Sequence, residues 1–172
     1  RHNQLLELTL AHKPNFSKLY SLPESISESD LEAMINSGFS ATKILKLTLN
    51  SNDPMKFVDY LITKGADLTK IYSLSSSLSI ETYQDLVIKG LNPEALIDAI
   101  FSLSQRESSD DNKQKIFDLT KLAIDNGADI SKMELPPTSD IELIEFFLNH
   151  GVKCTSGLEE IIENGLADII FN

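Results

Sequence analysis

The chain has no tryptophan, one cysteine and only two arginines, Arg1 and Arg106. A lone cysteine, Cys154, permits no intrachain disulfide and agrees with a reducing compartment. Cys154 itself reads as a small buried hydrophobe near a helix start. Cations are outnumbered throughout, and the formal net charge is −11. An acidic surface repels a phosphate backbone, and no Lys/Arg cluster offsets it, so nucleic acid and anionic membranes are not expected partners. A protein with a basic or mixed surface suits the charge better. Long apolar runs are also missing. "ALIDAIF" and "IEFFL" are too short to cross a bilayer, so no membrane insertion is expected. The opening "RHNQLLELTLAHK" lacks the apolar stretch and cleavage site of a secretory signal. The expected location is the cytoplasm. A start at Arg1 and a stop inside "ADIIFN" lead us to expect a piece of a longer protein.

The residues of common catalytic centres are not arranged as chemistry needs them. His2, His12 and His150 form no His-x-x-x-His pair, and one cysteine gives no zinc-ligand spacing. There is no Gly-rich phosphate loop after a strand and no Gly-x-Ser-x-Gly elbow. "SSDDNKQKIFD" lacks the ligand order of a calcium loop. Glu159, Glu160, Glu163, Asp110 and Asp111 read as solvated surface. His150, just before Gly151, reads as a helix C-terminal residue. The expectation is no catalytic residue, no metal site and no cofactor: not an enzyme. "SQRESSDDNKQ", Ser104–Gln114, reads as an expanded exposed loop whose Ser or Asp caps the next helix, with acid-directed phosphorylation of Ser108 or Ser109 the less favoured reading.

What is present is repetition. "ITKGADLTK" (Ile62–Lys70) returns as "IDNGADISK" (Ile124–Lys132). Gly38, Gly65, Gly90, Gly127 and Gly151 each come after a short amphipathic segment and read as helix-ending, left-handed residues. In "MKFVDYLITKG" the apolar Phe57, Val58, Leu61 and Ile62 share one helical face. Asn52 or Asp53 is the expected N-cap of that helix, with Pro54 at its first position. Asn92-Pro93 reads as another cap-plus-proline start. Between the glycine joints, "ATKILKLTLN", "TKIYSLSSSL" and "NPEALIDAIFSLS" read as a second class of helix. Phe16–Gly38 aligns without a gap to Leu68–Gly90, and Ile130–Gly151 fits the same pattern after one deletion. Short and long units alternate. Asp67 and Asp129 are expected to bond local backbone amides. A pair of helices with one apolar face must stack on its neighbours, so the fold class is an all-α solenoid. It is expected to form one array with an N-terminal helix over 1–12 and units at 13–38, 39–65, 66–90, 91–127, 128–151 and 152–172.

These residues resemble ankyrin repeats, whose second helix runs into a Leu-Leu-x-x-Gly-Ala-Asp-like end. "YLITKGADL" and "LAIDNGADI" are similar to it, "FLNHGVKC" more loosely, and "GLEEIIENGLADIIFN" resembles the family's first helix, turn and second-helix start. The family's Thr-Pro-Leu-His start is absent, and the loops after each "GAD" are too short for its protruding hairpins. The resemblance implies a solenoid of stacked helix-turn-helix repeats that acts as a non-catalytic protein–protein interaction module or scaffold. It implies a partner bound along the first-helix, concave face. Lys18, Lys70 and Lys132 then recur at equivalent places, as do Tyr20 and Tyr72, and with Lys43 they are the candidate partner-binding residues. The competing reading is that Tyr packs between repeats while Lys stems cover the seam. The alternative function is a targeting or regulatory segment of a larger multidomain enzyme or pathogen effector, with the catalytic domain elsewhere. Degenerate arrays of this composition suggest a bacterial or viral source, which would make the setting host cytoplasm.

Overall fold

The computed structural model describes residues 22, 25–106, 109–136, 138 and 140–153. Among these residues the regular structure is all helical, as the sequence led us to expect. The chain divides into two compact units, Arg1–Ile71 and Tyr72–Asn172.

In the first unit, α1 (Glu28–Asn36), α2 (Ala41–Thr48) and α3 (Val58–Thr63) precede a 3-10 turn at Leu68–Lys70. Helix α1 opens with a capping box. Ser27 Oγ accepts from the Asp30 amide, and the Asp30 carboxylate accepts from the Ser27 amide. It buries Leu31 and Met34. Helix α2 buries Ala41, Ile44, Leu45, Leu47 and Thr48 and packs on α3, which buries Val58 and Leu61. Two polar bonds tie α3 to α1: Tyr60 Oη donates to the Glu28 carbonyl at 3.3 Å, and Lys64 Nζ lies 2.6 Å from Glu32.

The expected proline start of α3 is not found. The helix begins at Val58, with Phe57 at its N-cap and no side-chain cap bond. Backbone bonds from the Lys56 amide to the Asp53 carbonyl and from the Val58 amide to the Met55 carbonyl hold Pro54–Phe57 in turns instead. That path carries the Phe57 ring into the core. Burial of a large aromatic outweighs a favourable cap sequence here.

In the second unit, α4 (Ile80–Ile88), α5 (Ala95–Ser104) and α6 (Asp110–Asp125) precede a second 3-10 turn at Ile130–Lys132 and then α7 (Ile141–Asn149). Helix α6 is the centre of this unit, touching α4, α5 and the 3-10 turn. Its buried face is Ile116, Leu119, Thr120 and Ala123. Toward α7 it offers the Phe117 ring, 4.5 Å from Phe146, and Lys113, paired with Asp140 at 2.9 Å and Glu142 at 3.2 Å. Asn92-Pro93 does not itself open α5: Asn92 Oδ1 accepts from the Glu94 amide and the Ala95 amide bonds the Asn92 carbonyl, a turn that leads into the helix at Ala95 with Glu94 as its N-cap.

Two further expectations change. "TKIYSLSSSL" is not a helix: its first residues complete the 3-10 turn, Ile71–Ser75 has no regular structure, and α4 starts only at Ile80. Ile71, Leu74 and Leu78 are buried as the helical spacing suggested, but from an irregular backbone. Ser75 Oγ bonds the Ser77 hydroxyl at 2.7 Å and accepts from the Ser77 amide, the local competition that pulls serine out of helices. The "SQRESSDDNKQ" loop is also shorter than expected, because α5 runs to Ser104 and α6 starts at Asp110. Its capping serine is Ser109, which accepts from the Asn112 amide at 3.2 Å.

The glycine joints are as the repeat implied. Gly38, Gly65, Gly90, Gly127 and Gly151 all have φ between 83° and 102°. At each, the glycine amide bonds back to a carbonyl three residues earlier. The next amide bonds to a carbonyl five residues earlier, giving Phe39 to Met34, Ala66 to Leu61, Leu91 to Leu86, Ala128 to Ala123 and Val152 to Phe147. This is the Schellman arrangement, and it satisfies helix carbonyls that have no intrahelical partner.

At Gly127 an added Cβ would meet nothing within 4 Å, so any cost of substitution comes from the backbone alone. Gly127→Ala should destabilise the protein by about 1–2 kcal/mol in urea unfolding monitored by circular dichroism, and Gly127→Asn by less. Equal stability of parent and Ala variant would mean the left-handed closure carries no strain.

Candidate functional site

The repeated "GAD" phrase forms the same device in both units. After the Schellman glycine and alanine, Asp67 caps the 3-10 turn Leu68–Lys70, its carboxylate accepting from the Thr69 amide at 3.0 Å and hydroxyl at 2.6 Å. Asp129 does the same for Ile130–Lys132, accepting from the Ser131 amide at 3.2 Å and hydroxyl at 2.6 Å. The local backbone role expected of both aspartates is thus observed. Leu68 and Ile130, one residue on, are buried and anchor each turn to the core.

A second latch was not foreseen. The Asp67 amide donates to Thr42 Oγ1 at 2.9 Å, and the Asp129 amide donates to Glu94 Oε1 at 3.1 Å. Thr42 and Glu94 each sit four residues after a left-handed glycine, Gly38 or Gly90. The signal was in the sequence as an acceptor side chain at equivalent positions of "SAT" and "NPE". One is a neutral hydroxyl and the other a carboxylate, so residue identity hid the match.

These turns aim their lysines outward. Lys70 and Lys132 are each 68% exposed. Lys70 pairs with Asp67 at 3.2 Å, whereas Lys132 lies 3.5 Å from Asp129 and 3.8 Å from Glu94. Such exposed pairs are screened by water and contribute little to stability. Tyr72, two residues after Lys70, is 63% exposed. Lys43 lies on the outer face of α2 with Lys46. Lys18 and Tyr20 lie outside the described residues, as do Cys154, His2 and His12. Lys70 and Lys132 therefore end 3-10 turns and are not on first helices, a correction to the expected first-helix strip.

Little here is arranged for chemistry. Among the described residues no three His, Cys, Asp or Glu side chains gather as metal ligands. His150 ends α7, its Nδ1 2.7 Å from the Phe146 carbonyl and its ring against Phe146. The first unit has an open cavity of ≈ 350 Å³ lined by Leu22, Ile26, Thr48, Ser51, Asn52 and Phe57, among others. Its two hydroxyls are committed to the backbone, Thr48 to the Leu45 carbonyl and Ser51 to the Thr48 carbonyl. Neither is paired with a base. No described helix is long and apolar enough to cross a membrane. Compared with models of known families, with curated proteins and with solved structures, the chain matches none.

The Thr69 hydroxyl and then Lys70 hold the Asp67 carboxyl below its ordinary 3.8, and the Ser131 hydroxyl with the charge of Lys132 does the same for Asp129. A depressed carboxyl contributes stability above its unfolded value near 3.8, and that contribution is lost as pH falls through the lower folded value. The Asp67→Asn/Asp129→Asn pair keeps a capping acceptor but cannot titrate. Its melting temperature should fall less steeply than the parent's on acidification through this window. Superimposable pH profiles would remove the linkage.

Proposed function

We propose that this chain is a non-catalytic protein-interaction module. In this reading it is a solenoid of stacked ankyrin-like repeats that binds a protein partner through the outward side chains of its repeated turns. The observation that carries it is the recurrence of one turn, "GAD[LI][TS]K", with the same closure, Asp cap and latch and with an exposed lysine at its end. Repeat arrays bind through equivalent positions spread over an extended surface, and these lysines are such positions. Tyr72 adds an exposed aromatic, a residue type that offers contact area at low entropic cost.

The charge at the two turns differs in a way that bears on the partner. Lys70 is balanced by one carboxylate, Asp67, while Lys132 faces two, Asp129 and Glu94. A partner meeting both would present a mixed surface, more basic where it meets the second turn. The reading includes a cytoplasmic setting, which the lone cysteine favours. Lys43 is a further candidate on α2.

The test is affinity capture from cell lysate with the chain immobilised, beside Tyr72→Ala/Lys132→Ala and, separately, Lys70→Ala. Circular dichroism must first show that both variants melt like the parent, as expected for exposed side chains. A partner held by the parent and retained about tenfold less by the folded variants fits the proposal. Equal capture by all of them would place the contact elsewhere, and no specific capture would sink the reading.

A further inference from the structure

The irregular segment before α4 is held by an unusual pair of side chains. Ser76 is buried, and its Oγ accepts from Arg106 Nη2 at 2.7 Å. Its carbonyl accepts from Lys115 Nζ at 2.9 Å. Arg106 comes just after the end of α5 and Lys115 stands on α6, so two elements each deliver a cation to one neutral residue. Elsewhere in the described structure, two lysines brought against the fold meet carboxylates: Lys64 meets Glu32, and Lys113 meets Asp140 and Glu142. Among the described residues, neither Arg106 nor Lys115 has a carboxylate within 4.0 Å.

Lys115 is half-buried at this point, while Arg106 is exposed. Burial, and then the neighbouring Arg106 charge, push the Lys115 ammonium below its ordinary 10.5. A hydroxyl and a carbonyl supply dipoles but no opposing charge. In a chain of net charge −11, two cations facing neutral acceptors stand against the general balance. A dianion would relieve their mutual repulsion. The planar guanidinium suits two oxygens of a tetrahedral anion at once, and lysine acts as a point charge beside it. Ser75 and Ser77 add hydroxyls 2.7 Å from each other next to this point.

We propose that Arg106 and Lys115 form a binding site for a phosphate-class oxyanion, seated against the serine run at residues 75–77. The anion has two chemical sources. It is either free inorganic phosphate or a phosphoryl group esterified to the exposed Ser77, in a stretch whose non-helical backbone suits a modifying enzyme. The site is independent of the protein-binding role proposed above.

The experiment uses the whole chain labelled with 15N. Sodium phosphate is titrated at pH 7.5, with sodium chloride at matched ionic strength as the control. For the free anion, the Ser76 amide and the Arg106 Nε–H should shift saturably with phosphate and not with chloride. Arg106→Gln and Lys115→Gln should each weaken binding about tenfold, the usual size of losing one charge-assisted contact. Two variants are needed because each also removes a bond to Ser76, and circular dichroism confirms that both remain folded. The second arm places phosphoserine at 77 during synthesis. For the esterified source, the modified chain melts higher than the unmodified one, and Arg106→Gln abolishes the difference. Success in either arm identifies its source. Non-saturating shifts in the first arm, together with no Arg106-dependent gain in the second, overturn the proposal.

Discussion

A helix that stops leaves carbonyl groups without partners, and in a small helical fold those groups cannot all face water. Five helices here meet that constraint with the same pair of backbone bonds around a left-handed glycine. The deeper bond always ends on the carbonyl of a residue whose side chain is buried: Met34, Leu61, Leu86, Ala123 and Phe147. The joint therefore fixes two things together. It satisfies the helix end, and it sets the direction in which the chain leaves the core.

The residue after the glycine is of two kinds. After α1, α4 and α7 it is a buried hydrophobe, Phe39, Leu91 or Val152. After α3 and α6 it is alanine, then the capping aspartate, and the buried hydrophobe is delayed to Leu68 or Ile130. Helices α1, α4 and α7 are each nine residues long, and each is capped by Ser27, Ser79 or Asp140 bonding an amide three residues on. Helices α3 and α6 differ greatly in length, six residues against sixteen, yet end in the same way. Length is absorbed at the start of these helices, where solvent-facing residues such as Asp110 and Asp111 can be added. The packed end stays constant.

The sequence made the joints legible because a glycine with positive φ has few substitutes and Asp before Thr or Ser leaves a local signature. Helix starts were harder to read. Asn92-Pro93 leads through a single turn into α5 at Ala95, while after Asp53-Pro54 the turns run on to Phe57 before α3 begins. The distinction lies in Phe57, whose burial is a tertiary demand that local spacing does not reveal. Ile71, Leu74 and Leu78 have helical spacing and are buried, but Ser75 and Ser77 bond each other and Tyr83 Oη donates to the Ser75 carbonyl at 2.6 Å. Their spacing reflects burial and not a helical backbone. At the candidate site, Asp67 and Asp129 were legible as caps, but Thr42 and Glu94 were not legible as latches. A bond across 25 or 35 residues depends on how the chain folds back between its two ends, and only position, not residue type, is shared.

The chain's hydroxyls point to the same division between architecture and surface. Ser37, Thr48, Thr63, Ser104 and Thr120 all donate to helix carbonyls three or four residues earlier. Such a hydroxyl is consumed by the fold, and a nucleophile would instead need a base at hydrogen-bond distance. The two "GAD" turns spend aspartate in the same way, on their own amides and hydroxyls. At its end each of these turns leaves in water a lysine that, among the described residues, is held by exposed pairs. Weak self-pairing matters for recognition. Because an exposed pair is already screened, the lysine gives up little when it turns to a new acceptor. Repetition gives the turns one form, and the neutral or charged latch at Thr42 or Glu94 tunes each turn without altering its shape.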